Sequence, residues 1–259
     1  MKRILTTLLT FLLLAACTTE TVSTATPTPT VNPTSTLVPR AVPTIINHER
    51  PAIEVDFSPF ENAGCVSNGY YYECGEQSAL SGGCTSISKS DMLGGLSPTY
   101  PIAFCNYIYP EGSKKTVDFS LECFDANVRI YGWDCSRIVI YKDSQYILIK
   151  NMEEFRSHFV PVDSSEEALG FAFVSSDFYP IFGHEMQKNY VYYVQIIEDT
   201  YVEKITDGYI VHLFYTHFIG CGPHDTEAVD VKVTYDGNVK QINRYPIYRD
   251  PEEDSLCVD

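Results

Sequence analysis

Hydrophobic and polar positions change period several times along this chain. Residues 137–150 read Arg-Ile-Val-Ile-Tyr-Lys-Asp-Ser-Gln-Tyr-Ile-Leu-Ile-Lys, two β-rich runs around Asp143-Ser144, and predict a hairpin. Asn151 follows as an N-cap with Glu154 at the N3 position. Phe155 and Phe159 lie four apart on one face, and Pro161 ends the short helix. Ser164-Ser165-Glu166-Glu167 is a second capping box. Ala168, Leu169, Ala172 and Phe173 form an apolar stripe behind it, so the pattern predicts a helix over about 165–175.

Beyond that helix the period becomes that of a sheet. Tyr190–Ile197, Tyr201–Thr206, Tyr209–Ile219, Ala228–Tyr235 and Asn238–Arg244 are strand-like runs. Asp207-Gly208 and Asp236-Gly237 stand between such runs and read as type I′ hairpin turns. Val229–Tyr235 alternates cleanly, which predicts one buried face and one wet face. Tyr209–Phe218 is apolar on both faces, which predicts a central strand. The expected unit is a helix packed on a four-stranded antiparallel meander. It resembles the cystatin-like or NTF2-like shape, an analogy of fold that implies no function.

The region before it, 51–160, is rich in Cys, Gly and Ser, and Asn68-Gly69 between Cys65 and Cys74 marks another hairpin. The fold class expected is α+β and mostly β. A disulfide-braced, β-rich part over 51–160 comes first and the helix-plus-meander part over 161–259 second, as one composite unit or two abutting ones.

The N-terminus has a different pattern. Lys2-Arg3 precedes the apolar run Ile4–Leu14, which ends in Leu14-Ala15-Ala16-Cys17. A basic start, an apolar stretch of roughly ten residues and a small-residue exit make a secretory signal. The stretch is short of the about 20 residues needed to span a bilayer. A cysteine directly after the small residues resembles the lipobox of bacterial lipoproteins. That resemblance implies cleavage after residue 16 and acylation of Cys17. It also implies export, with the ectodomain at the cell surface or in the periplasm. The partner it implies is the membrane, reached through the lipid anchor. Residues 17–50 are dominated by Thr, Pro, Ser and Val, with too little apolar surface to offset ordering entropy. Proline disfavours both helix and central strand there, so an extended spacer is expected.

Setting Cys17 aside leaves Cys65, Cys74, Cys84, Cys105, Cys123, Cys135, Cys221 and Cys257. An even set in an exported chain predicts disulfides. The simplest pairing is between neighbours: Cys65–Cys74, Cys84–Cys105, Cys123–Cys135 and Cys221–Cys257. No CxxC occurs, so a zinc ribbon and a thioredoxin-type pair both lack their signature.

The formal net charge of −16 argues against nucleic acid, because phosphate binding needs a cationic surface. The acidic runs Asp163–Glu167 and Asp250–Asp254 lack the EF-hand loop pattern. The densest reactive group is Cys221-Gly-Pro-His224-Asp-Thr-Glu227. A bridged Cys221 is no nucleophile, so a pinned loop is expected, with His224 dispensable. His212 and His217 have an odd spacing, which in a regular strand puts them on opposite faces. His184-Glu185 opens like a metalloprotease motif, but Lys188 stands where the second His is required. There is no G-x-S-x-G elbow, P-loop or dinucleotide fingerprint. Tyr70, Tyr71, Tyr72, Tyr107 and Tyr109 are candidates to stack on a sugar or peptide.

Together these features predict a lipid-anchored envelope protein with a role in binding, interaction or envelope structure, with no catalytic residue, metal or cofactor assigned. A protein or glycan ligand is compatible with this expectation, and the sequence singles out neither. The competing expectations are an extracytoplasmic hydrolase using carboxylates or a metal, and a cystatin-like protease inhibitor.

Overall fold

The structure, a computed structural model, describes residues 42–80, 83–108, 124, 134–217 and 220–258. Cys17 with its lipobox-like run, the expected spacer before residue 42, Tyr109 and the expected Cys123–Cys135 bridge lie outside the described residues. The described residues belong to one compact unit spanning 39–259.

The N-terminal part begins with β1 (Thr44–Ile46) and α1 (Ser58–Glu61). It continues through β2 (Cys65–Ser67), β3 (Tyr72–Cys74), β4 (Ser86–Ser88), β5 (Ile102–Ile108), β6 (Asp134–Lys142) and β7 (Gln145–Ile149). Strands β2 to β7 form an antiparallel sheet in chain order. Two disulfides brace it. Cys65 and Cys74 are register partners across β2 and β3, with Cα atoms 4.3 Å apart, and Cys84 is bonded to Cys105 of β5.

Two helices follow, α2 (Met152–Phe159) and α3 (Ser165–Val174). Both expected caps are present. The Asn151 side chain accepts from the Glu154 N–H, while Glu154 accepts from the Lys150 N–H. Ser164 and Glu167 close a reciprocal capping box. The remaining strands are β8 (Val191–Tyr192), β9 (Ile196–Glu198), β10 (Val202–Ile205), β11 (Gly208–Thr216), β12 (Gly220–Cys221), β13 (Asp225–Thr234), β14 (Val239–Arg249) and β15 (Cys257–Val258). The expected meander is β10-β11-β13-β14, and β8 extends it at the β14 edge. β11 is central, as its two apolar faces predicted.

Strand periodicity puts alternate residues into different cores. Ile102 of β5, Ile138 and Ile140 of β6, and Val229, Val231 and Val233 of β13 all reach the same cluster. Phe155, Phe159, Leu169 and Phe171 of the helices fill it. The helices therefore lie between the two sheets. The intervening residues face away. Ala103, Cys105 and Val139 pack under Phe57 and Phe60, and Phe214, Ala228 and Ile247 form a third cluster on the far side. The apolar stripe expected on α3 is too narrow an account of it. Gly170, Phe171 and Val174 are buried as well, because sheets cover the helix from two sides.

Three local readings are refined. The run Tyr190–Ile197 is two strands rather than one. β8 pairs with β14, and β9 instead pairs in parallel with β1. The Asp236-Gly237 connection is a three-residue loop, because Thr234 and Asn238 close around Tyr235–Gly237 and Gly237 has φ +74°. Between β10 and β11 the loop residues are Thr206 and Asp207, since Ile205 pairs directly with Gly208. Gly208 is needed for another reason. Its φ is +146°, and a Cβ there would lie 2.1 Å from the Val233 carbonyl oxygen.

Replacing Gly208 by Ala should therefore destabilise the protein by about 2 kcal/mol or more, measured by urea denaturation. An unchanged midpoint would contradict this close approach.

Candidate functional site

The Cys221–Glu227 loop is structural. Cys221 is bonded to Cys257, with Cα atoms 4.2 Å apart, and β12 pairs with β15 beside the bridge. His224 is buried, with Nδ1 2.7 Å from the His217 carbonyl and Nε2 3.2 Å from the Leu256 carbonyl. Both carbonyls accept together only from a ring carrying both protons, and they push its pKa up. The expectation that His224 is dispensable is corrected: it clasps the C-terminal tail.

The other sequence candidates do not converge. His212 is buried against Asp230 at 2.6 Å, while His217 is exposed. Among the described residues no three His, Cys, Asp or Glu side chains come together as metal ligands would. Tyr70 projects into solvent and Tyr71 is exposed, whereas Tyr72 packs on Phe57 at 4.9 Å, and Tyr107 lies on β5. Of the acidic runs, Glu167 is spent on the α3 cap and Asp254 pairs with Arg249.

A cluster that sequence reasoning missed centres on Asp199, whose side chain is fully buried. Its Oδ2 accepts from the Gly183 N–H (2.7 Å), the His48 N–H (3.2 Å) and Asn47 Nδ2 (3.1 Å). Its Oδ1 accepts from the His184 N–H (3.1 Å) and faces His184 Nδ1 at 2.7 Å. Burial alone would raise this carboxyl. The N–H groups of Gly183 and His184, with the Asn47 and His184 side chains, outweigh it and hold the pKa at about 2. Asp199 thus fastens the residues after β1 to the 183–184 turn. Glu198 adds a 2.8 Å contact to His48, and Arg50 pairs with Asp91. Tyr201 sits between the rings of His48 (5.4 Å) and His212 (5.1 Å). Burial, then the charges of Glu198 and Asp230, push its phenol up to about 12.

An Asp-held histidine is half of a catalytic triad. Among the described residues, His184 Nε2 is buried with no hydrogen-bond partner, so none of their hydroxyls or thiols is held there for deprotonation. Nothing local in the sequence signals the Asp199–His184 pair, because its members are fifteen residues apart and the turn between them is irregular.

The concave surfaces carry different chemistry. One of about 440 Å³ lies between the inner face of β5–β6 and the C-terminal end of α3. Ser88, Ser90, Asn106, Ser136 and Ser176 line it with hydroxyl and amide groups, and Phe104, Phe124, Phe173 and Phe178 supply aromatic surface. Ser136 Oγ donates to Asn106 Oδ1 at 3.1 Å. A volume of this order suits a small ligand.

Comparison with known proteins gives no matching family model, no matching curated protein and no matching solved structure.

The Asp199 fastening makes a pH-dependent prediction. Asp199→Ala should cost about 3 kcal/mol at neutral pH, because it strands His184 and several N–H groups. The folded-state pKa is depressed, so this stability is present above the unfolded value of about 3.9 and is lost as pH falls toward about 2. Urea titrations of wild type and variant should therefore converge between pH 5 and pH 2.5. A difference that stays constant across that range would contradict the assignment.

Proposed function

We propose that this chain is an exported, lipid-anchored protein of the cell envelope that binds a ligand rather than transforming one. The Thr/Pro spacer holds the folded unit away from the bilayer, and acylated Cys17 holds the spacer to it. Acyl chains contribute about 0.8 kcal/mol per buried methylene, enough for several chains on one cysteine to anchor firmly.

The observation that carries the binding reading is the lining of the cavity between β5–β6 and α3. Its serine hydroxyls and the Asn106 amide are hydrogen-bonding groups set beside aromatic rings, and Lys89, Arg137 and Asp177 line the same cavity. That combination complements a hydroxyl-rich ligand with one apolar face, which is the chemistry of a glycan. Two further observations support binding over hydrolysis. Cys221 is consumed by a disulfide, and among the described residues His184 has its orienting carboxylate but no nucleophile at Nε2.

Two measurements test the proposal. Native protein should partition into the detergent phase and carry acyl mass on Cys17, whereas Cys17→Ser should move to the aqueous phase. Saturation-transfer NMR with oligosaccharides released from the envelope should give saturable signals that are lost in Asn106→Leu. Unmodified Cys17 would overturn the anchor, and steady conversion of the sugars to products would replace binding by hydrolysis.

A further inference from the structure

A second concavity, about 310 Å³, lies on the far side of the β11–β13–β14 sheet from the helices. Its walls are Ile45 of β1, Ile197 of β9, the 181–187 turn, and the side chains of Tyr190, Tyr192 and Tyr248. The three tyrosine rings stand within 6.4 Å of one another. Tyr192 is fixed by its hydroxyl, which accepts from the Gln187 N–H and donates to the Gln187 carbonyl. Tyr248 meets the His184 ring edge-on at 6.2 Å.

The charge around this site is predominantly negative. Glu185 lies in the wall. Asp250, Glu253 and Glu252 act on the Tyr190 phenol and add to the rise that burial gives its pKa. The basic groups nearby are Arg249, tied to Asp254, and Lys188, which is exposed and not part of the wall. His184 supplies an independent sign of a missing partner. Its side chain is 6 % exposed, Asp199 holds Nδ1, and among the described residues buried Nε2 has no donor to accept from. A protein normally satisfies such an atom.

We infer that this tyrosine-lined cavity binds an organic cation, an alkyl or quaternary ammonium group that also carries a hydrogen-bond donor. The aromatic faces attract the cation, the acidic rim concentrates it, and His184 Nε2 accepts the donor. An anion would meet Glu185 and the 250–254 acids. A neutral apolar group would gain the rings but leave Nε2 and the local field unanswered. This site is separate from the serine-lined cavity, so its failure would leave the glycan proposal standing.

Isothermal titration of the intact protein in neutral detergent tests this with choline as the probe. Its neutral isostere 3,3-dimethylbutan-1-ol serves as the control. Choline should bind saturably and about tenfold more tightly than the isostere. Tyr190→Phe should retain that preference, Tyr190→Leu should abolish it, and Glu185→Gln, an exposed change that leaves the fold alone, should weaken choline several-fold. No saturable heat with choline, equal binding of the isostere, or unchanged affinity in both Tyr190→Leu and Glu185→Gln would overturn the inference.

Discussion

The whole arrangement depends on one constraint: beyond its first turn, where Glu166 is exposed, α3 has almost no wet side. Its residues from Glu167 to Ala172 are all buried. One flank faces β10, β11 and β13, and the other faces the turn at Asp91–Leu93 and strand β5. A helix covered twice has to be apolar all round and close-fitting. Gly170 shows how close: a Cβ there would meet the Met92 carbonyl oxygen at 3.0 Å. Gly237 meets the same helix from the opposite sheet, where a Cβ would lie 2.6 Å from the Phe171 ring. Each buried Phe or Leu contributes about 1.5–3 kcal/mol of transfer free energy, so this layer outweighs any single disulfide or ion pair.

The candidate sites follow from that layering. The serine-lined cavity opens where α3 ends at Val174 and no longer fills the space above β5 and β6. The tyrosine-lined cavity lies on the outer face of the second sheet, where β8 and β9 pass from one pairing to another. β1 is drawn there by its parallel pairing with β9 and by Asp199, so the segment entering the folded unit is pinned beside the aromatic cavity. The disulfides close the periphery, at the β2–β3 hairpin, between the β4 region and β5, and at the C-terminal tail.

Local rules were readable in the sequence wherever local physics decides. The Asn151 N-cap of α2, the capping box of α3, the Asp143-Ser144 turn with φ values of 51° and 61°, and the alternation of β13 all depend on residues a few positions apart. Three of the expected cysteine pairs are bonded, and each closes a loop within one part of the chain. The sandwich was not readable, because a buried stripe and a fully buried helix differ only in what packs on the second face. Nor was the split of Tyr190–Ile197. Its β-forming residues fit either sheet: Tyr193 still donates its N–H to Ile247 of β14 before the chain turns toward β1. Asp199 and His184 were unreadable as a pair for the same reason. Nothing short-range distinguishes a carboxylate that will be buried among N–H groups from one that faces water.

The central claim is that two sheets share one core through α3, and native-state hydrogen exchange tests it directly. Amides of β6 and β11 belong to different sheets. If α3 joins them into one cooperative unit, both strands should exchange only through global opening and report the same free energy. Phe171→Ala should then lower both by an equal amount, about 4 kcal/mol. Loss of protection in β11 with β6 unchanged, or the reverse, would show two independently stable sheets and contradict the account.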